Sequence, residues 1–167
     1  TKGSSPKWQG IEYIEDRGVL FVTSENVGKN TMLYSKEKFV QERFNEIEPK
    51  SILKKGDVLT NIVGASIGRT AIFDRECVAN INQAVCLIRC NGEILANKFL
   101  SYLLNSKFFV KLLHDNEIDN ARANLSLTFF RNLHFPIPSI EEQVSLVGQI
   151  EQFHTHTQQL EALYTQK

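Results

Sequence analysis

The sequence predicts a mixed α/β domain that carries a long C-terminal helix. Short apolar runs separated by Gly, Asn and Asp turns recur through the first part of the chain, as strands do. Phe99, Leu100, Leu103, Leu104, Phe108 and Leu112 trace one face of an amphipathic helix. A capping box at Ser139 opens an apolar stripe that runs almost to the end. The 167 residues suit one domain, residues 1–138, and a helical appendage, residues 139–167.

Residues 1–8, TKGSSPKW, are polar and basic and read as a loop anchored by Trp8. Val19 to Thr23 reads as a buried strand, and Glu25 to Leu33, with Asn26, Gly28 and Asn30, as a loop. Ser35 then reads as an N-cap, with Phe39, Val40, Phe44 and Ile47 at helical spacing up to Pro49. Lys54-Lys55-Gly56-Asp57 turns into a second strand, Val58 to Val63. Gly64-Ala-Ser-Ile-Gly68-Arg69 is a tight loop before a third strand, Thr70 to Asp74. Ala84 to Cys90 is a fourth strand, closed by Asn91-Gly92. The Phe99–Leu112 helix follows, then a polar loop from Asn116 to Ser126 and a last short strand, Leu133 to Ile137. In the capping box the Ser139 hydroxyl serves the N3 amide, and Glu142 reaches back to the Ser139 amide. Ile140, Val144, Val147, Ile150, Phe153 and Leu160 give the final helix its stripe. Unbroken, it measures about 42 Å at 1.5 Å per residue. Either it folds back on its own domain, or it is half of a helix pair completed by another chain or by further sequence.

Composition sets the setting. The chain begins at Thr1 rather than methionine, as a fragment or processed product would. No apolar stretch is long enough to span a bilayer. Cys77, Cys86 and Cys90 form no CxxC pair and an odd set, so buried, reduced thiols of an intracellular protein are expected. Net charge is zero, but it is unevenly spread. Residues 1–138 hold 18 Lys and Arg against 15 Asp and Glu; residues 139–167 hold 1 against 4. A mildly basic head therefore carries an acidic helix, and a local basic face is all that DNA contact needs.

Catalytic patterns are missing. There is no dinucleotide or Walker loop and no nucleophile elbow. His154 and His156 are spaced for different helix faces, so no metal site is expected. Glu46, Glu48 and Lys50 are only a faint echo of nuclease carboxylates and read as a charged turn. What remains is a series of polar, basic loops: Lys2, Ser4, Ser5 and Lys7; Lys29 and Asn30; Ser66 and Arg69; Asn80, Asn82 and Gln83; Arg122 and Asn124. Arg can bind guanine bidentately, Asn and Gln adenine, and Lys and Ser suit phosphates.

The order of these pieces resembles the target-recognition domains in the specificity subunits of type I restriction-modification systems. The similar passages are Lys2-Gly-Ser-Ser-Pro6, Lys55-Gly-Asp-Val-Leu59 leading into Gly64–Arg69, and Asn82-Gln-Ala-Val85. They continue with Phe99-Leu-Ser-Tyr-Leu-Leu104, Asn124-Leu-Ser126 and Pro136-Ile-Pro-Ser-Ile-Glu-Glu-Gln143. The resemblance implies an α/β (α+β) globular domain with a twisted, mostly antiparallel sheet. A spacer helix follows it and pairs as a coiled coil. It implies a non-catalytic chain that reads one half of a split site on double-stranded DNA. Methyltransferase and restriction subunits would dock on it in a bacterial or archaeal cytoplasm. S-adenosylmethionine, ATP and Mg²⁺ would belong to those partners, with no cofactor in this chain. A full specificity subunit has two such domains and this chain has room for one. Residues 139–167 are thus expected to pair with a second copy or a second recognition domain. The alternative is the recognition domain of a single-chain restriction-methylation enzyme or another phage-defence methylase. Arg122 puts a charge where relatives of this resemblance are often rich in Gly and Ser.

Overall fold

The computed structural model describes residues 1–115 and 125–165. Its strands are β1 (Tyr13–Ile14), β2 (Val19–Val22), β3 (Phe39–Val40), β4 (Val58–Asn61), β5 (Thr70–Ile72), β6 (Ala79–Ile81) and β7 (Val85–Ile88). Its α-helices are α1 (Arg43–Ile47), α2 (Asn97–Leu104), α3 (Lys107–Asp115), α4 (Leu127–Arg131) and α5 (Ile140–Thr165). One sheet has the order β1-β3-β2-β6 and the other β5-β4-β7. Every strand pair is antiparallel except β2 with β6.

β2, β4 and most of β7 are buried on both faces, which is why β2 and β7 read as continuous apolar runs rather than alternating ones, while β4 ends in buried Thr60 and Asn61. Leu20 and Val22 of β2 meet Leu59, Ala71, Phe73, Val85 and Leu87 in a core between the sheets. The opposite side of β2, Val19 and Phe21, packs on Val40 and Phe44, where Phe21 and Phe44 meet edge to face at 5.4 Å. The outer face of the second sheet, Val58 and Cys86, packs on Leu100, Leu104, Phe109 and Leu113 of α2 and α3. The result is a layered α/β domain, as expected; all three cysteines are free, but only Cys86 is buried, Cys90 being half-buried and Cys77 exposed, against the expectation of three buried thiols.

Several expectations are corrected. The helix read from Ser35 is absent: Phe39 and Val40 form β3, paired with both β1 and β2, and only Arg43–Ile47 is helical. Phe39 and Val40 point to different clusters, as strand neighbours must. The helix read across 99–112 is two. Asn105 caps the end of α2, and the Ser106 hydroxyl accepts the Phe109 amide, starting α3 afresh. Phe109 is therefore the buried phenylalanine and Phe108 is 75% exposed. Leu133 to Ile137 is not a strand; α4 precedes it, and an irregular segment leads to α5. Trp8 anchors nothing, being 79% exposed. Pro6 is buried instead, and its carbonyl accepts the Ile11 amide at 3.0 Å. The Ser139 capping box forms in both directions, with bonds of 2.9 and 3.3 Å. Among the described residues no helix is long and apolar enough to cross a membrane.

Candidate nucleic-acid interface

Topology brings the polar loops to one rim. Strand β4 ends at Asn61, opposite the start of β7, and Thr60 lies opposite Thr70 at the start of β5. The glycine loop, 64–69, and the turn before β7, 82–84, therefore leave the sheet on the same side. Ile62 and Ala84 are tied there by a 2.9 Å amide bond. β6 ends beside β2, with the Asn82 amide on the Val22 carbonyl at 3.0 Å. The loop after β2 reaches the same place, because the Asn30 amide donates to the Thr70 carbonyl at 2.8 Å. Thr1 exchanges two hydrogen bonds with Leu87, and Lys2 bridges Cys86, so the first residues run along β7 towards its start. Gly3 then lies against β6: a Cβ there would stand 1.8 Å from the Ile81 carbonyl oxygen, so only glycine fits. Leu125 joins the rim through its amide on the Ile62 carbonyl, 2.9 Å.

Two buried asparagines pin these loops. Asn61, fully buried, donates through Nδ2 to the Ser24 carbonyl (2.9 Å), the Val27 carbonyl (3.4 Å) and Ser66 Oγ (3.0 Å). Its Oδ1 is buried with no hydrogen-bond partner among the described residues. Asn105 takes the Thr70 amide on Oδ1 (3.2 Å) and donates to the Thr70 carbonyl and to Asn30 Oδ1, both at 2.8 Å. Asn30 also accepts from Ser101 Oγ at 2.9 Å. It stands at φ 56°, a left-handed conformation that asparagine tolerates better than most residues.

Of the residues expected to touch DNA, Lys2, Ser4, Ser5, Lys29, Asn30, Ser66, Arg69, Asn82 and Gln83 lie in these rim segments. Ser4 Oγ accepts from Gln9 at 3.3 Å, and Ser5 starts a 3-10 turn. Asn82 Oδ1 accepts the Ala84 amide at 3.0 Å and so shapes the turn. Gln83 beside it is half-buried, and its side chain has no hydrogen-bond partner among the described residues. Asn80 is corrected: it is fully buried in β6, bonded to Asn45 Oδ1 at 2.7 Å and to the Glu48 carbonyl. Arg122 and Asn124 lie outside the described residues.

The charge of the rim is positive. Lys29 and Arg69 line a cleft of about 140 Å³ with Gly68, Asn105 and Lys107. None of the three cations has a carboxylate partner among the described residues. Glu25, the one acid in segments 3–5, 23–31, 64–69 and 82–84, is bonded to Lys38 Nζ at 2.8 Å. Lys38, with Lys36, holds its carboxyl below the ordinary range. Lys107 was missed in the sequence because the break at Asn105 was missed. On one continuous helix it reads as part of a solvated face.

The opposite end of the sheets holds the long helix. Asn97, at the start of α2, bonds the Gly56 carbonyl at 2.7 Å in the turn before β4. Next to it, fully buried Gln143 accepts the Ala96 amide (2.8 Å) and donates to the Ile94 and Pro138 carbonyls (2.8 and 2.9 Å). Lys98 and Glu151 form an exposed ion pair at 2.7 Å. Beyond Glu151 every described residue of α5 is exposed. Of the expected stripe, Val147 is buried and Ile140 half-buried on the domain, whereas Val144, Ile150, Phe153 and Leu160 are exposed. Among the described residues no three His, Cys, Asp or Glu side chains converge as a metal site would require.

Comparison with known proteins gives a consistent set. Residues 11–166 match the family described as type I restriction modification DNA specificity domain. The chain is 35% identical over 112 residues to the type I restriction enzyme EcoBI specificity subunit of Escherichia coli, covering 67% of this chain and 23% of that one. It is 26% identical over 140 residues to the MjaVIII specificity subunit of Methanocaldococcus jannaschii, covering 81% of this chain and 33% of that one. The chain thus spans between about a quarter and a third of these relatives. Its fold matches the HsdS subunit from Thermoanaerobacter tengcongensis, with a TM-score of 0.67 at 18% identity over 95% of this chain and 40% of that one. It also matches a chain from a structural study of complex assembly and conformational transition in the type I R-M system, with a TM-score of 0.69 at 19% identity over 96% of this chain and 36% of that one.

Proposed function

The chain belongs to the family of type I restriction modification DNA specificity domains, and from that premise we propose that it reads one half of a split DNA target for such a system. The observation that carries this reading is the rim. Loops far apart in sequence meet at one end of two sheets, carry cations and a Gln83 amide that have no partner among the described residues, and are fastened from below by Asn61 and Asn105. A rigid scaffold presenting polar loops is what base readout needs, because a side chain displaced by an ångström loses its bidentate geometry.

The long helix leaves from the other end, so the head can lie on DNA while α5 meets proteins. Its exposed apolar residues, Val144, Ile150, Phe153 and Leu160, suit an antiparallel helix from a second recognition domain or a second copy. The chain is non-catalytic in this reading. Methyltransferase and restriction subunits of a bacterial or archaeal cytoplasm dock on it and bring S-adenosylmethionine, ATP and Mg²⁺. Reconstituting the protein with its methyltransferase and mapping methylated sites tests the reading. Gln83→Ala should relax one half-site at a single base pair, at a cost of about 1–3 kcal/mol in discrimination. Unchanged methylation specificity would remove Gln83 from the reading surface.

A further inference from the structure

The rim cleft gathers three cations that have no carboxylate partner among the described residues. Lys29 comes from the loop after β2, Arg69 from the glycine loop and Lys107 from the first turn of α3, and all three line one cleft. Lys36, Lys38, Lys55, Arg75, Arg89 and Lys98 each sit within 4 Å of a carboxylate; other cations without such a partner among the described residues, such as Lys7, Arg17 and Arg43, are not gathered in this cleft. Among the described residues the cleft has no acidic lining residue. Like charges drawn together repel one another, so their walls must be held, and they are. Asn105 bonds Thr70 beside Arg69 and Asn30 beside Lys29, and it stands two residues before Lys107. Gly68 at φ 82° forms the floor, where a Cβ would press on Leu113 Cδ1 at 3.2 Å. The α3 N-terminus adds its partial positive charge to a site already cationic. The outer face of α3 continues it with Lys111, one turn on and also without a carboxylate partner among the described residues, and with exposed Phe108.

We propose that Lys29, Arg69 and Lys107 clamp one backbone phosphate of the DNA, with Lys111 reaching the next along the strand, so that α3 lies on the sugar-phosphate backbone. The ligand follows from the chemistry. Beside the apolar Ile67 and Val110, the described lining of the cleft brings three cations from three elements and no acid, which matches a group with a full negative charge and several acceptor oxygens. A guanine edge offers two partial charges in a plane and would use one arginine alone. Arg69, which by residue type alone suits a guanine, is a positioning contact here: it fixes where the head sits and carries no sequence information. This inference rests on the proposed function, since it presupposes duplex DNA on the rim.

The test is the salt dependence of duplex binding by the full specificity protein assembled with its methyltransferase. The variants are Lys29→Ala, Lys107→Ala and Lys111→Ala, with Lys107→Arg as rescue. Lys55→Ala, from the turn before β4 at the far end, is the control. Each lost phosphate contact should lower the slope of log affinity against log salt by about 0.9. A variant then loses about 3.5-fold less affinity than the wild type between 50 and 200 mM salt. Methylated sequences should stay the same, Lys107→Arg should restore the slope, and Lys55→Ala should match the wild type. Wild-type slopes in the alanine variants, with DNA still bound, would overturn the clamp while leaving the proposed function intact. So would a change in the sequence methylated. A wild-type assembly that binds no duplex would overturn both.

Discussion

Replacing Gln143 by alanine should unfasten the long helix from the head. The Gln143 side chain is fully buried and makes three hydrogen bonds, to the Ala96 amide and to the Ile94 and Pro138 carbonyls. Ala96 is the N-cap residue of α2, and Gln143 accepts its backbone amide, the part that a Glu or Gln at N3 plays in a capping box. Each bond contributes about 1 kcal/mol net, and a buried main-chain group left unpaired costs about 1–3 kcal/mol. Some of the freed groups will reach water at the helix edge, so the loss should be about 3 kcal/mol. Beside Gln143, the buried contact of α5 is Val147 alone, so most of this loss falls on docking rather than on the sheets. Native-state hydrogen exchange reads it directly: protection of the Ala96 amide should fall about 100-fold, since 1.4 kcal/mol is tenfold. Thermal unfolding, if the helix and head melt together, should drop by about 6–12 °C. Gln143→Glu should be as bad or worse, because it sets a carboxylate against two carbonyl oxygens. An Ala96 amide protected as in the wild type, with stability within about 0.5 kcal/mol, would refute this account of how the helix is held.

Other consequences follow from burial. Gly3→Ala forces a methyl into the Ile81 carbonyl, at 1.8 Å, so residues 1–5 must lift from β6 and β7. About 1–3 kcal/mol should be lost in urea unfolding, with exchange of the Leu87 amide accelerated because its partner is the Thr1 carbonyl. An unchanged Leu87 amide would contradict the placement. Burial pushes the Cys86 thiol up from an ordinary 9.0 to about 11. The folded state therefore favours the neutral thiol, and the stability this gives is complete below pH 9 and lost as pH rises from 9 through 11. Cys86→Ala should be less stable at neutral pH yet fall less steeply over that alkaline window; parallel curves would assign the alkaline loss to other groups.

Much of this fold is legible in the sequence, for reasons that differ by element. The Ser139 capping box is a local device, and its partners are three residues apart, so it forms as read. The glycine loop and the strands around it carry their own turn chemistry, Gly64 and Gly68 both standing at positive φ. What is not legible depends on partners distant in sequence. Phe39, Val40 and Phe44 keep helical spacing by coincidence, since Phe39 and Val40 are claimed by strand partners far off in sequence, Tyr13, Ile14, Val19 and Leu20. Strand β6 is three residues long with Asn80 at its centre, a polar residue made acceptable by Asn45 and Glu48. A reader of one chain sees there only a polar turn. The same limit hid Lys107: its place beside Lys29 and Arg69 exists because Asn105 ends α2 to bond Thr70 and Asn30. The rim residues Ser66, Arg69, Asn82 and Gln83 were accessible to sequence reasoning because they sit in turns between strands, and antiparallel pairing collects such turns at the two ends of a sheet. Which of the two ends they share could not be read without the topology.

The central claim is that residues 1–138 choose a DNA half-site and residues 139–167 do not. It is tested most directly by exchanging residues 1–138 for the matching segment of a relative with a different target, keeping Ser139–Lys167, and mapping methylated sites across a genome with the assembled methyltransferase. The account predicts that one half-site changes to that of the donor, with the gap between half-sites unchanged. A methylation pattern that keeps the original half-site after the exchange would contradict it.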